Sequence, residues 1–270
     1  MKIIIEPGQS AKNYWLDLWR YRELLYIFAW RDISVRYKQT ALGVAWALVR
    51  PLLTMAAFVF FRRMAGLHPG AIPDPILVYA GVLPWQFFST ALAESSSSVI
   101  GNANLISKVY FPRLLVPCAS VATSFADFLV SLALLFVMMA WYGFAPGWPL
   151  VFLPLFVLLI LALSLGLGLL LAALNVEYRD IRYIVPFFLQ FGVFISPVAF
   201  STHDVPAEWR LVYGLNPMVG AIDGFRWSLL GDAFTPDWSL LFFSGAFTSA
   251  AVWAGVVYFR RMENKFADVI

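Results

Sequence analysis

Long apolar runs separated by short polar breaks dominate this chain. No Asp, Glu, Lys or Arg occurs between Phe128 and Val176. That stretch is too long for one buried core helix and fits two bilayer crossings of about 20 residues each. Across the chain the pattern predicts six spans, at about 43–62, 76–97, 114–141, 149–174, 184–202 and 238–259. Turn chemistry separates them at Gly66-Leu67-His68-Pro69-Gly70 and between Gly143 and Pro149, and the polar stretch Asn175 to Arg182 divides the fourth from the fifth. The spans are predicted to be helices, because lipid offers no partner for backbone amides and the runs lack the short alternation of a barrel. The expected fold is all-α, one polytopic membrane domain. It consists of an interface segment (1–42), spans one to five (43–202), an outer segment (203–237), span six (238–259) and a tail (260–270).

Composition agrees. Of 270 residues, 61% are hydrophobic and 13% charged, and the mean hydropathy is +0.76; a soluble domain carries about 25% charged residues. High apolar content with a net charge of only +3 excludes intrinsic disorder. The single cysteine, Cys118, excludes a disulfide framework and a multi-cysteine metal site. Met1 to Asn13 has no apolar core of signal-peptide length. With the N-terminus in the cytoplasm, 14 of the 19 Lys and Arg residues fall on the inner side. Arg62, Arg63, Arg210 and Arg226 fall outside and Arg50 within a span, so both termini are expected in the cytoplasm.

Two segments outside the spans have their own periodicity. Tyr14, Leu18, Tyr21, Leu25 and Phe28 form a stripe, widened by Trp15 and Trp19, with Arg20, Arg22 and Glu23 off it. This amphipathic helix is expected to lie in the headgroup plane or to pack on a partner protein, and, since the two surfaces differ, both readings can hold together. In the outer segment, Met218, Ile222, Phe225 and Leu229 share one helical face, with Asp223 and Arg226 offset and Asn216-Pro217 as the start. This predicts short half-apolar helices at or dipping into the outer leaflet; the alternative is an ordinary extracellular cap.

Catalytic signatures are scarce. No phosphate-loop motif G-x-x-x-x-G-K-[ST] occurs, and His68 and His203 are isolated on outer loops, so neither a catalytic nor a metal site is expected. The run Ser95 to Ser98 has no histidine base nearby and suits helix packing or a polar cavity lining. Charges inside spans are more informative, because each costs roughly 2.5–3.5 kcal/mol at mid-membrane. Arg50, Glu94 and Asp127 must therefore snorkel, pair or face a polar pathway; Arg50 is placed either to snorkel or to meet an anionic headgroup. Two short cytoplasmic loops, Ser107 to Arg113 and Asn175 to Arg182, each place an aromatic among charges. Such loops suit docking into a groove on another protein, where Tyr and Arg supply much of the binding energy. A headgroup anchor would explain Tyr and Arg but not Glu177 and Asp180.

At these residues the chain resembles the type-2 ABC exporter permeases of the polysaccharide-export branch, over essentially its whole length. The resemblance rests on Trp30-Arg31-Asp32-Ile33 with Arg36-Tyr37-Lys38-Gln39-Thr40-x-Leu42-Gly43-x-x-Trp46. It also rests on Asn102-x-Asn104-Leu105-Ile106-x-Lys108-Val109-Tyr110-Phe111-Pro112-Arg113, on Asn175-Val176-x-Tyr178-Arg179-Asp180-Ile181, on Ser196-Pro197 and on Leu215-Asn216-Pro217-Met218. It implies a homodimer in the bacterial inner membrane, paired with two copies of a separate ABC ATPase that holds ATP and Mg, with no cofactor in this chain. It implies an ATPase-coupling element at Asn175, Glu177, Tyr178, Arg179, Asp180, Ile181 and Arg182. It further implies an interface helix bearing Trp30, Arg31, Asp32, Arg36, Tyr37 and Lys38, and a cytoplasmic gate at Asn104, Lys108, Tyr110, Phe111, Pro112 and Arg113. Re-entrant outer helices would include Met218 to Leu230. The implied cargo is an undecaprenyl-diphosphate-linked polysaccharide such as an O-antigen, with no nucleic acid.

Among 47 aromatic residues, flat rings with a polar handle suit a sugar conduit. Trp46, Phe58, Phe187, Phe191 and Phe194, together with Arg50 and Asp127, are the candidate path; rings facing lipid or helix interfaces are the alternative. Teichoic acid, capsule or another amphiphile fits the same architecture. A membrane enzyme acting on lipid-linked sugars would carry paired acids or basic outer loops, and a secondary carrier would show inverted repeats.

Overall fold

The structure, a computed structural model, describes residues 14–38, 43, 45–66, 72–202 and 205–266. Every regular element among them is helical: α1 (Tyr14–Arg20), α2 (Arg22–Lys38), α3 (Ala45–Met64), α4 (Asp74–Gly101), α5 (Ala103–Lys108), α6 (Leu115–Trp141), α7 (Leu153–Glu177), α8 (Ile181–Ile195), α9 (Arg210–Gly214), α10 (Pro217–Leu230) and α11 (Trp238–Met262). Prolines sit in the first turns of α4, α7 and α10, where a missing N–H costs nothing. Asn216 caps α10 by accepting from Met218 N at 3.0 Å, and Asp237 caps α11 by accepting from Ser239 N at 3.0 Å.

Among the described residues, five helical stretches are long and apolar enough to cross a membrane: α3, α4, α6, the run Trp148–Glu177 that ends in α7, and α11. This differs from the six predicted. The fifth predicted span (184–202) is realised as α8, whose 15 residues reach only about 22 Å. Ser196 ends it in an extended conformation (φ −107°, ψ 153°), because the residue before a proline is pushed out of the helical region. A hydropathy run continues through that break, whereas backbone geometry does not.

α4 is the central pillar, buried along most of its length against α6 and α7. Ser95, Ser96 and Ser98 lie in that contact, with Ser95 against Gly168, so the serine run serves helix packing. The hydroxyls of Ser96 and Ser98 donate to carbonyls of their own helix at 2.8 and 2.7 Å. α7 and α11 approach through small residues: a Cβ on Gly255 would stand 2.1 Å from the Gly166 carbonyl oxygen. In lipid, such close backbone approach supplies the packing that hydrophobic burial cannot.

The bundle has two distinct ends. One carries α9, α10 and the Gly143–Pro149 turn, and is called the cap face here. The other, the terminal face, carries α1, the start of α2, α5, the 177–181 turn and the end of α11, around a second core of Tyr14, Phe28, Phe111, Val176, Phe259 and Phe266. The stripe Tyr14, Leu18, Tyr21, Leu25 and Phe28 packs against this core, so the N-terminal helices bury their apolar face on the chain itself. Trp15 and Trp19 do not widen it; they are exposed. α10 also departs from expectation. Asp223 and Arg226 are as buried as Met218, Ile222, Phe225 and Leu229, so the helix has no polar outer face and is enclosed by α4, α7 and α11. The described residues do not include Lys2, Lys12, Gln39, Thr40, Leu42, the Leu67–Gly70 part of the first turn with His68, His203, or 267–270.

Candidate functional site

A cavity of about 430 Å³ opens where α2, α3, α4 and α6 meet. α2 contributes Arg36 and Tyr37; α3 contributes Trp46, Arg50 and Pro51; α4 contributes Gln86, Thr90 and Glu94; α6 contributes Ser124, Asp127 and Ser131. On α4 and α6 these polar positions succeed one another one turn apart, so each of those helices turns one polar strip into an otherwise apolar bundle. Arg36 bridges the two carboxylates, donating to Glu94 Oε1 at 2.6 Å and to Asp127 Oδ2. Tyr37 also donates to Asp127, and Ser124 donates to Glu94 Oε2 at 3.1 Å. The two intramembrane carboxylates are thus paired rather than snorkelling.

Arg50 lines the same cavity but has no ion pair among the described residues. Its guanidinium is exposed to the cavity and offers a planar fork that suits a phosphate bidentately. Among the described residues no group of three or more His, Cys, Asp or Glu could hold a metal ion.

Of the candidate path, Trp46, Arg50 and Asp127 line the cavity. Phe58, Phe187, Phe191 and Phe194 do not. Phe194 meets Phe58 edge-on at 6.3 Å, and Phe187 and Phe191 pack at 4.7 Å on the exposed flank of α8. Sequence reasoning placed Arg36 and Tyr37 only on the interface helix and missed Gln86, Thr90, Ser124 and Ser131. The charge cost of Glu94 and Asp127 was the available signal, since it demanded a basic partner.

Apart from Lys38, at the cavity end of α2, the remaining positions gather on the terminal face. Asn175 is buried and donates to Ser96 O at 2.9 Å, Ile181 is partly covered, and Glu177, Tyr178, Arg179, Asp180 and Arg182 are exposed. Tyr258 donates to Glu177 at 2.9 Å. Asn104, Lys108 and Tyr110 are exposed, whereas Phe111 and Pro112 are buried, Phe111 edge-on to Phe28 at 5.5 Å. Arg113 donates its backbone N–H to Glu263 Oε1 at 2.8 Å. Arg31 donates to Asn102 Oδ1 at 2.9 Å and to Asp32, while Trp30 and Lys38 are exposed. Both short loops therefore keep some residues as anchors and present others outward on one face.

Residues 23–230 match the family model described as ABC-2 type transporter. The chain belongs to the ABC-2 type transporter family. This ABC-2 transporter is 32% identical over 257 residues to the O-antigen export system permease protein RfbA of Myxococcus xanthus, covering 94% of this chain and 98% of that protein. It is 25% identical over 251 residues to RfbA of Klebsiella pneumoniae (92% and 95% covered) and 24% identical over 244 residues to the polysialic acid transport protein KpsM of Escherichia coli (87% and 91%). The ABC-2 match takes in the cavity, both terminal-face loops and α10.

Proposed function

We propose that this chain is the transmembrane subunit of an ATP-driven exporter that moves a lipid-linked, O-antigen-like polysaccharide across the bacterial inner membrane. The observation that carries the proposal is the near full-length similarity to an O-antigen export permease. Capsule-type cargo is the weaker reading, because the match to a capsule polysaccharide export protein is less extensive, 22% identical over 76% of this chain. ATP and Mg belong to two copies of a separate ATPase, which engages Tyr178, Arg179, Asp180 and Arg182, with Lys108 and Tyr110 beside them. The termini lie in the cytoplasm, so the terminal face is the inner one. α8 with its non-helical continuation 196–200 makes the sixth crossing, and α10 with α9 forms the outer re-entrant layer.

Two copies form the conduit. A path about 30 Å long and wide enough for a sugar exceeds the 430 Å³ of this cavity, which favours a conduit between copies. The cavity takes the lipid diphosphate, Arg50 gripping the phosphates while Trp46 offers an apolar face to the first sugar. Arg50→Ala is expected to lower export at least tenfold, with Arg50→Lys retaining part of it, measured as surface polysaccharide at equal membrane abundance. Wild-type export by Arg50→Ala would remove the headgroup site. Export by the purified chain alone in vesicles would sink the whole proposal.

A further inference from the structure

Beyond the end of α8, the chain is held in an unusual way. Its backbone carbonyls are accepting from side chains of other elements rather than from a helix. Asn216 Nδ2 donates to Ser196 Oγ at 2.9 Å and to the Ile195 carbonyl at 3.5 Å. Arg226 donates to the Val198 and Phe200 carbonyls at 2.7 and 2.9 Å. Arg62, from the end of α3, donates to the Ala199 carbonyl at 2.8 Å and leans on buried Asp74 at 3.4 Å. Two guanidiniums and an amide, from α3, α10 and the cap of α10, thus converge on six residues of backbone. Non-helical backbone at membrane depth is tolerated only when protein satisfies it, and these three side chains do so.

The clasp is built for permanence. Arg226 is wholly buried, and opening its contacts would strand a charge in the bundle. Gly81 of α4 makes the room: a Cβ there would meet Arg226 Nη2 at 2.3 Å and the Val198 carbonyl at 2.7 Å. The rest of α8 is the opposite. Only Val185 of its 15 residues is buried, and one flank shows Tyr183, Phe187, Phe188, Phe191 and Phe194 outward. α8 is a rod pinned at its cap-face end; it carries Pro186 within the helix and packs on the core through Leu189 and Val193, while its other flank is open.

We propose that Arg62, Arg226 and Asn216 are positioning residues for transport. They fix the cap-face end of α8 as a pivot, so that a push on residues 177–182 swings the terminal-face end of the rod. This rests on the reading of 177–182 as the ATPase contact. The helix break at Ser196-Pro197 supplies the joint, and the clasp keeps its far side still.

The test uses the complex with its ATPase in membranes, with spin labels on one copy diluted into unlabelled copies. One label sits at Trp253→Cys on α11 and the other at either Tyr183→Cys or Ile195→Cys, all in a Cys118→Ser background. Adding ATP is expected to change the Tyr183–Trp253 distance by several ångströms and leave the Ile195–Trp253 distance unchanged. In Arg62→Gln, the Ile195 end should move as well and ATP consumed per chain exported should rise, with Arg62→Lys restoring the still end. Equal movement at both ends overturns the pivot. A motionless α8 overturns it too; whether the functional reading falls with it is read separately, from co-purification of the chain with the ATPase and its loss in Arg179→Glu.

Discussion

Arg36 satisfies two carboxylates on two different helices, Glu94 on α4 and Asp127 on α6. Removing one partner of such a group leaves charges stranded at membrane depth, which typically costs about 3–5 kcal/mol. Because all three side chains keep some access to the cavity, the loss belongs at the lower end. Arg36→Met is expected to destabilise the protein by about 3 kcal/mol, and the triple change Arg36→Met, Glu94→Gln, Asp127→Asn to recover most of it, as measured by thermal unfolding in detergent. The need for a partner was legible in the sequence, since a carboxylate inside a span demands one. The partner's identity was not. Arg36 is 58 residues from Glu94 and 91 from Asp127, and nothing local reports which distant side chain arrives.

Individual helices were legible where start signals and apolar length agree. α11 is the clearest, with Asp237 just before an apolar run and Arg260 and Arg261 at its end. The Asp237 carboxyl is held below the usual carboxylate range, chiefly by its hydrogen bonds with Ser239. A depressed value means its stabilising contribution is present above the unfolded value of about 3.9 and is lost as pH falls through the folded one. Asp237→Ala is expected to cost about 1 kcal/mol at neutral pH. Asp237→Asn should keep the cap and flatten the acid side of the stability profile, compared by unfolding between neutral and acid pH. α8 and α10 were less legible. A hydropathy window cannot see that Pro197 ends one helix, and a helical stripe cannot see that Asp223 and Arg226 of the other are enclosed as well.

A single copy leaves a large aromatic surface on α8, next to Phe58 of α3, without a protein neighbour. If two copies bound the conduit, part of that surface is expected at their junction, whereas exposed Trp253 on α11 is expected outside it. Phe187→Cys or Phe191→Cys is expected to give an oxidatively cross-linked dimer in membranes, and Trp253→Cys is expected to stay monomeric on the same gel. The reverse pattern would move the junction to α11.

The sequence alone determined that the chain is a helical membrane protein, where five of its long apolar helices lie, and where charge had to be compensated. Those properties are local sums of hydropathy, turn chemistry and charge, so a short window contains them. Only the tertiary structure decided that Arg36 is the compensating partner, that Arg50 alone of the cavity arginines has no ion pair among the described residues, and that Arg62, Arg226 and Asn216 meet around the end of α8. Contacts between helices depend on their rotation and depth relative to one another. These are set by steric fit at places such as Gly166 against Gly255 and Gly81 beneath Arg226, which no periodicity along a single chain encodes.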